Sequence, residues 1–327
     1  MKAPTVSVIM ITYGHENYIK EAIEGVLMQE CCFEIELIIV NDCSPDKTDA
    51  IVQKSIKRTH KGIQIKYFKH KKNIGAIPNF IWALEKCSGK YTAICEGDDY
   101  WTDPFKLQKQ ADVLDGNKEI GLVTTFRSNY TQSTRVFTPP STDINTLKNY
   151  GFYDLLTGKI QIATLTALFR TTLIQDYFKF YKDTGKKLSC LDYCIFLYIA
   201  YHSEIKVLNC NTGVYRILGN SLSHGLPIRK WELKKKYFND VQIYKKKLPK
   251  IDENIFKKTE YDRAKGFYTM ALNYNDENYI KIFNNIFMEN NDSMRIIAIN
   301  LSKKSKLLKN MVILFEKYLI FIKNKLK

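Results

Sequence analysis

Three carboxylates fall within four positions in the segment Glu96-Gly97-Asp98-Asp99. The apolar run directly before them, residues 91–95, predicts a buried strand, and Pro104 predicts the start of a helix soon after them. Mg²⁺ and Mn²⁺ prefer oxygen ligands and commonly take one or two carboxylates together with substrate phosphates. The segment therefore predicts a site for a metal ion and a diphosphate. A solvated acidic turn is the alternative, since acids are common in turns.

The elements that must position these acids alternate through the first 95 residues. Strand-like runs are separated by stretches of helical spacing, and the runs are residues 6–11, 36–40, 63–68 and 91–95. This alternation predicts an α/β fold with a mostly parallel sheet and helices on both faces. Ligands of such sheets bind at the carboxyl ends of the strands. Thr12, Tyr13 and Asp42 are therefore expected at the same edge as the acid segment.

The second half of the chain carries further strand and helix signals. The polar segment 138–150 contains Pro139-Pro140 and predicts a loop over the site. An apolar, aromatic-rich helix is expected to open with Asp192. The remaining expected elements are strands at 121–135, 163–170, 206–209 and 213–217, with the helix at 191–201.

The composition is that of a globular protein with a basic charge balance. The 327 residues are 45% apolar, and 50 Lys and Arg residues stand against 34 Asp and Glu residues. Nucleic acid, an anionic membrane surface and a phosphorylated substrate are all compatible partners. Solvated charged faces are the plain alternative, because net charge carries no information about fold.

The cysteines and the lengths of the apolar runs indicate in which cellular compartment the protein is expected. The eight cysteines form no C-x-x-C pair, and several lie inside apolar runs, as expected in a reducing compartment. The first apolar run is too short for a secretory signal, and no stretch approaches the roughly 18 apolar residues of a membrane span. We expect a cytoplasmic protein, with peripheral contact at the inner face of the plasma membrane as a hypothesis.

The region from residue 225 onward differs from the rest in being helix-patterned, Lys-rich and poor in Gly and Pro. Its last segment, residues 303–327, mixes lysines with apolar residues and places the following on one helical face: Met311, Leu314, Phe315, Tyr318, Leu319 and Ile322. Such a helix suits an anionic membrane surface. A terminal helix that packs on the body or pairs subunits explains the same pattern.

Five motifs in order make the sequence resemble an inverting family 2 glycosyltransferase with the GT-A fold, of a bacterial surface-polysaccharide branch. They are residues 6–13, residues 36–48, Asn73-Ile74-Gly75 with Asn79, Glu96-Gly97-Asp98-Asp99, and residues 100–110. The resemblance is strong over residues 5–115, moderate to about residue 222, and absent beyond. It implies a GT-A domain at 1–224, with a nucleotide-binding half at 1–115 and an acceptor half at 116–224, followed by a basic helical region at 225–327.

The resemblance also implies roles on the donor side. Asp98 and Asp99 would bind Mn²⁺ or Mg²⁺ and the donor, with Asp99 as the more direct ligand and Glu96 in a position where many relatives have Asp. Thr12, Tyr13 and Asp42 would hold the base and ribose of the nucleotide. The other expected donor-binding residues are Glu16, Asn73, Gly75, Asn79 and Arg216, with Arg216 at the diphosphate.

On the acceptor side, Asp192 takes the position of the family's catalytic base, although Leu191 replaces the Glu that usually precedes it. A charge at a helix N-terminus is the alternative interpretation of Asp192. Trp101 is expected on the acceptor side, and His224 is a further candidate metal ligand, since the family's His position is here Leu218.

These features together predict an enzyme that transfers a sugar from a nucleotide-diphosphate sugar, most simply a UDP-sugar, to a hydroxyl of a glycan or lipid-linked glycan. A nucleotidyltransferase is disfavoured, because Thr12-Tyr13-Gly14-His15-Glu16 is not a Gly-rich basic loop. A nucleic-acid-binding protein is disfavoured because the lysines are spread and no binding module is evident. A non-catalytic subunit related to the glycosyltransferases is the remaining alternative.

Overall fold

The computed structural model describes residues 4–57, 62–141, 144–219 and 226–325. The chain folds into two compact units, unit 1 at Met1–His224 and unit 2 at Gly225–Lys327. This division falls where the change in sequence character was expected. The assignment of residues 1–115 to the nucleotide and 116–224 to the acceptor stays a prediction.

The first part of unit 1 is a run of parallel strands joined by helices. Strand β1 pairs in parallel with β2 and β4, and β2 pairs in parallel with β3. Buried β-branched and aliphatic side chains fill β1 and β2, as expected for strands covered on both faces. The elements are β1 (Val6–Thr12), α1 (Ile19–Leu27), β2 (Ile35–Asn41), α2 (Thr48–Ser55), β3 (Ile63–Lys69), α3 (Ala76–Glu85) and β4 (Tyr91–Ile94).

The second part of unit 1 completes one mixed sheet with the order β3-β2-β1-β4-β9-β6-β10-β5, while β7 pairs with β6 and β8 with β10. Strand β9 lies antiparallel between β4 and β6, and β6 is parallel to β10. The elements are β5 (Tyr100–Trp101), α4 (Lys106–Gly116), β6 (Ile120–Thr131), β7 (Val136–Thr138), β8 (Asn149–Tyr150), α5 (Phe152–Leu156), β9 (Leu168–Arg170), α6 (Thr171–Asp183), α7 (Leu191–His202) and β10 (Glu204–Ile217). The predicted α/β sheet is confirmed.

Three local predictions were wrong in detail. The two strands expected at 206–209 and 213–217 are one strand, β10, whose register against β6 shifts near Asn211. The strand expected at 163–170 begins with a 3₁₀ turn at Thr164–Thr166. The segment Ser44-Pro45-Asp46 predicts a helix that starts at Pro45 with Ser44 as its N-cap, but α2 begins at Thr48, and the Ser44 hydroxyl accepts a hydrogen bond from the backbone N–H of Gly14 (3.1 Å).

Helix α1 packs closely on the chain that follows the acid segment. A Cβ at Gly25 would lie 2.8 Å from the backbone nitrogen of Trp101, so a side chain at this position requires α1 to move away. The Trp101 side chain is 2% exposed and belongs to the main hydrophobic cluster with Val26 and Leu107. The approach of α1 therefore depends on glycine at position 25.

A charged network lies on the opposite end of the sheet from the acid segment, near the start of β1. The Glu36 side chain is fully buried and accepts hydrogen bonds from Ser7, Lys66 and Ser88. Burial by itself would raise the pKa of the Glu36 carboxyl, but the hydrogen bonds from Lys66, Ser7 and Ser88 outweigh burial and hold this pKa below its ordinary value.

Glu36→Gln is expected to lower the free energy of unfolding at pH 7 by about 2 kcal/mol, because Lys66 loses its buried counter-charge. Since the folded-state pKa of Glu36 is lowered, the stability it provides is fully present above the unfolded-state pKa of about 4.3 and is lost as the pH falls through the folded-state pKa. Urea titrations at pH 7 and at a series of pH values below 4 should show the difference between variant and wild type narrowing as the pH falls. Exposed Glu34→Gln is the control, and equal destabilisation by both variants would contradict this account.

Unit 2 is a helical bundle, which confirms the predicted helical C-terminal region. Its core includes Trp231, Phe238, Tyr268, Phe283 and Phe287, all almost fully buried. The carboxylates of Asp252, Asp276 and Asp292 cap three of its helices by accepting from backbone N–H groups. The helices are α8 (Pro227–Lys247), α9 (Glu253–Asn273), α10 (Glu277–Glu289), α11 (Ser293–Ser302) and α12 (Lys306–Lys325).

Across the described parts of both units, none of the helices is long and apolar enough to cross a membrane.

Candidate active site

The acid segment leaves the carboxyl end of β4 and continues beside β1. The backbone N–H of Gly97 donates to the carbonyl of Ile11 (3.0 Å), which brings the segment against the end of β1. A Cβ at position 97 would lie 2.8 Å from Thr12 Oγ1 and 2.9 Å from His15 Nδ1. Glycine at position 97 therefore allows the acids to lie beside the loop that follows β1.

Asp99 connects the acid segment to β10. Its side chain is 1% exposed, and its Oδ1 accepts a hydrogen bond from the backbone N–H of Arg216 (2.8 Å). Its Oδ2 is also buried and has no hydrogen-bond partner within the described residues. A buried carboxylate oxygen without a partner is costly unless a cation or donor meets it.

Burial and neighbouring carboxylates raise the pKa of two acids in this segment, Glu96 and Asp99. Burial, followed by the charges of Asp98 and Asp192, raises the pKa of Glu96 to about 8. Burial, Asp98 and Glu96 likewise raise the pKa of Asp99 well above its ordinary value. Asp192 lies in the first turn of α7, so the fold brings an acid from the second half of the sequence to the acid segment. The charges of Asp98 and Asp192 thus both act on Glu96.

These residues fit a divalent cation that is also held by a substrate. The described residues contain no group of three or more His, Cys, Asp or Glu side chains that would hold an ion by themselves. Asp99 Oδ2 and the carboxylate of neighbouring Asp98 offer oxygen ligands, and Mg²⁺ or Mn²⁺ commonly completes its shell with phosphate oxygens. The unpartnered Oδ2 is the observation that favours a cation here.

The predicted donor-binding residues divide into exposed and internal groups. Tyr13 is 49% exposed at the end of β1, and Asn73 is also exposed. Asp42 is 2% exposed, and its two oxygens accept from the backbone N–H groups of Ile74 (2.7 Å) and Gly75 (2.9 Å). Asp42 therefore holds the loop at residues 73–75 against the end of β2.

Two other predicted donor-binding residues also have internal partners. Asn79 is buried, and its side chain contacts His70 Nε2 (3.1 Å) and the Val40 carbonyl (3.4 Å). The Glu16 carboxylate accepts from the backbone N–H of Lys47 (2.9 Å), which connects the loop after β1 to the start of α2. Both side chains thereby position the loops around the site.

One predicted role needs correction. Trp101 is not on an open acceptor surface, because its ring is buried in the core and its Nε1–H donates to the Leu165 carbonyl (2.8 Å). The Arg216 guanidinium is engaged within the protein beside the acid segment, and its contact with a diphosphate stays a prediction. It donates from Nε to the Asp98 carbonyl (2.9 Å), from Nη1 to Gln132 (3.0 Å) and from Nη2 to Glu21. His224 lies outside the described residues.

Sequence reasoning missed two residues near the acids. His15 Nδ1 is buried without a partner among the described residues, and burial lowers the pKa of His15 against the opposing charges of Asp98 and Asp46. Arg127, on β6, stacks over the Tyr215 ring (4.6 Å) and acts electrostatically on Asp99. The position of His15 directly after Tyr13-Gly14 was the only available signal, whereas no motif marks Arg127.

Arg216→Lys is expected to weaken the metal-dependent nucleotide binding that the resemblance implies about tenfold, because one ammonium cannot replace a guanidinium that bonds to Asp98, Gln132 and Glu21 together. The guanidinium also lies within 5.5 Å of the ring centroids of Tyr18, Tyr100 and Tyr130. Calorimetric titration with UDP and Mn²⁺ measures the effect. The control is exposed Arg135→Lys, and wild-type affinity in Arg216→Lys would refute the positioning role.

Residues 7–178 match the family described as Glycosyl transferase family 2, which is more than half of the chain. The chain therefore belongs to this family of glycosyltransferases.

Two relatives and one solved structure illustrate the similarity. Uncharacterized protein Rv1520 of Mycobacterium tuberculosis is 41% identical over 113 residues, 35% of this chain and 32% of that protein. The putative teichuronic acid biosynthesis glycosyltransferase TuaG of Bacillus subtilis is 36% identical over 111 residues, 34% of this chain and 42% of TuaG. S. aureus TarS 1-349 in complex with UDP-GlcNAc superposes with a TM-score of 0.59 at 17% identity, over 86% of this chain and 81% of that one.

These comparisons differ in what they establish. The match with Rv1520 spans about a third of that protein's length. The likeness to TarS, at such low identity, establishes the fold alone, which is the predicted GT-A fold.

Proposed function

We propose that the protein is an inverting, metal-dependent glycosyltransferase that moves a sugar from a nucleotide-diphosphate sugar, UDP-sugar in the first instance, to a hydroxyl of a glycan or lipid-linked glycan. One observation carries this proposal: Glu96, Asp98 and Asp99 follow the carboxyl end of β4, and the charge of Asp192 from α7 acts on Glu96. Membership of glycosyltransferase family 2 supports the reaction class.

The donor would bind across the ends of β1, β2 and β4. Exposed Tyr13 would stack on the base, while Asp42 and the loop at 73–75 that it holds would border the base and ribose. The complex of TarS with UDP-GlcNAc supports UDP as the first nucleotide to test. Asp98 and Asp99 would hold Mn²⁺ or Mg²⁺, which supplies positive charge to neutralise the leaving diphosphate.

Asp192 would act as the general base. In the proposed step the acceptor oxygen bonds to the anomeric carbon, the bond from that carbon to the diphosphate oxygen breaks, and the hydroxyl proton passes to the Asp192 carboxylate. Attack from the side opposite the leaving group inverts the anomeric configuration. The charge of Asp192 acts on Glu96, within the acid segment, which supports this role.

The acceptor would enter a cavity of about 390 Å³ in unit 1. Its lining includes Arg127, Asn129, Lys159 and Thr166, and Thr166 is two residues from Thr164, whose hydroxyl donates to Glu96 (3.2 Å). The basic side chains favour an acceptor that carries carboxylate or phosphate groups. The name of TuaG, which refers to teichuronic acid biosynthesis, supports an acidic acceptor.

A panel of UDP-, GDP- and dTDP-sugars, incubated without acceptor, tests this function. Slow release of one nucleotide diphosphate that requires Mn²⁺ and stops with EDTA would identify the donor. Failure to release any nucleotide, together with a failure to bind any nucleotide diphosphate in a metal-dependent way, would contradict the proposal. That outcome would favour a nucleic-acid-binding protein or a non-catalytic subunit.

A further inference from the structure

Among the side chains that the structure describes, helix α12 presents one face to the bundle and another to solvent. The inner face contains Ile313 and Glu316, each 5% exposed, and Glu316 pairs with Arg295 of α11 (3.3 Å). The outer face repeats at helical spacing and is 54–70% exposed; it consists of Leu307, Met311, Leu314, Phe315 and Tyr318. Part of the apolar face predicted from the sequence therefore points away from the bundle.

The outer face is large for a surface that remains in water. Besides the five side chains of α12, the adjacent helix α11 exposes Met294 (62%) and Ile297 (57%). Single exposed apolar residues are ordinary, but clusters of large ones mark interaction or membrane surfaces. The outer face of α12 therefore needs a partner with apolar character.

The charges around the outer face of α12 indicate which kind of partner it would bind. Residues 303–327 contain eight lysines and one acid, Glu316. That acid is buried in its pair with Arg295, whereas Lys303, Lys304 and Lys306 are exposed. A helix with an apolar face and a basic polar surface suits the interface of an anionic bilayer, where the apolar side chains enter the acyl boundary and the lysines meet the headgroups.

We propose that the outer face of α12 docks unit 2 on a lipid bilayer that contains anionic headgroups. A second copy of this chain is the weaker candidate, since a symmetric interface would bring the same lysines of two protomers together. The described helices do not qualify as membrane spans, so contact at the surface is the mode proposed. The inference concerns a surface of unit 2 and does not depend on the proposed transfer reaction.

Vesicle flotation of the full chain tests the docking surface. The protein is expected to float with phosphatidylcholine vesicles that contain phosphatidylglycerol, and to remain unbound with phosphatidylcholine alone or in high salt. Replacing Lys303, Lys304 and Lys306 with Ser should weaken binding about a hundredfold, because each basic side chain near an anionic surface adds to the attraction. Leu314→Gln with Phe315→Gln should also abolish flotation.

The controls separate docking from folding and from self-association. Exposed Leu147→Gln, in unit 1, should bind vesicles like wild type, and thermal melting establishes that each variant is folded. The lysine variant changes only exposed polar side chains, so it remains informative if the apolar variant does not fold. Absence of wild-type flotation, or equal flotation with neutral vesicles, would overturn the proposal. So would a dimer in light scattering that the apolar variant disrupts without any binding of vesicles by wild type.

Discussion

Asp99→Asn is expected to reduce Mn²⁺-dependent sugar transfer at least about a thousandfold while the fold stays intact. The substituted amide oxygen can still accept the hydrogen bond from the backbone N–H of Arg216, which holds β10 against the acid segment. The change removes the negative charge and the unpartnered carboxylate oxygen proposed to bind the ion. Steady-state transfer or donor hydrolysis measures the loss of activity, and a melting curve measures whether the variant is folded.

Asp103→Asn is the matched control for this prediction. Asp103 follows the acid segment, but its carboxylate accepts from Phe105 N–H (2.9 Å) and pairs with Lys109 (2.7 Å). It should retain activity within a few fold of wild type. An Asp99→Asn protein that melts like wild type and still turns over with normal Mn²⁺ dependence would rule out Asp99 as a metal ligand.

Asp192→Asn is expected to lower the rate of transfer by about 10²–10⁴-fold, since the acceptor proton loses its base. Donor binding should be unchanged, because Asp192 is proposed to act on the acceptor and not on the nucleotide. The readouts are kcat for transfer and the calorimetric affinity for UDP with Mn²⁺, measured separately. A decrease in kcat without a loss of UDP affinity distinguishes a general base from a residue whose charge only stabilises the N-terminus of α7.

The control for Asp192 is exposed Asp183→Asn, at the end of α6. Partial recovery of transfer in Asp192→Glu, which restores a carboxylate one methylene further out, would strengthen the assignment. Transfer at the wild-type rate in Asp192→Asn would remove this residue from the mechanism.

The first half of the fold was predictable because its information is local. In residues 6–95 each strand or helix can be recognised from the spacing of its own apolar residues. Parallel pairing then follows from the alternation of strands and helices. The sequence therefore also predicted that Thr12, Asp42 and the acid segment share one edge. Each of these residues directly follows an apolar strand, so its position requires no knowledge of distant contacts.

The partners of individual side chains were harder to predict, because they depend on residues far away in the sequence. The Arg216 guanidinium bonds to the Asp98 carbonyl and to Glu21, which is 195 positions away. Trp101 looked like a surface aromatic beside the site, yet close packing of α1 and a hydrogen bond to the Leu165 carbonyl place it in the core. Neither partner carries a recognisable sequence signal.

The register of β10 shows a second kind of limit. Asn209, Cys210 and Asn211 interrupt its apolar pattern and suggested a break between two strands. The structure keeps one strand through this point and absorbs the irregularity as shifts in its pairing with β6. Pairing with β6 provides enough hydrogen bonds to continue a strand that local propensity alone would end.

The carboxyl edge of the sheet is proposed to bind a nucleotide diphosphate together with a divalent cation. Calorimetric titration of the wild-type chain with UDP, in the presence of Mn²⁺ and again in EDTA, tests that proposal most directly. We expect saturable binding with Mn²⁺ that is lost in EDTA and in Asp99→Asn. Binding that is unaffected by removal of Mn²⁺ and by Asp99→Asn would contradict it, as would the absence of binding for UDP, GDP and dTDP alike.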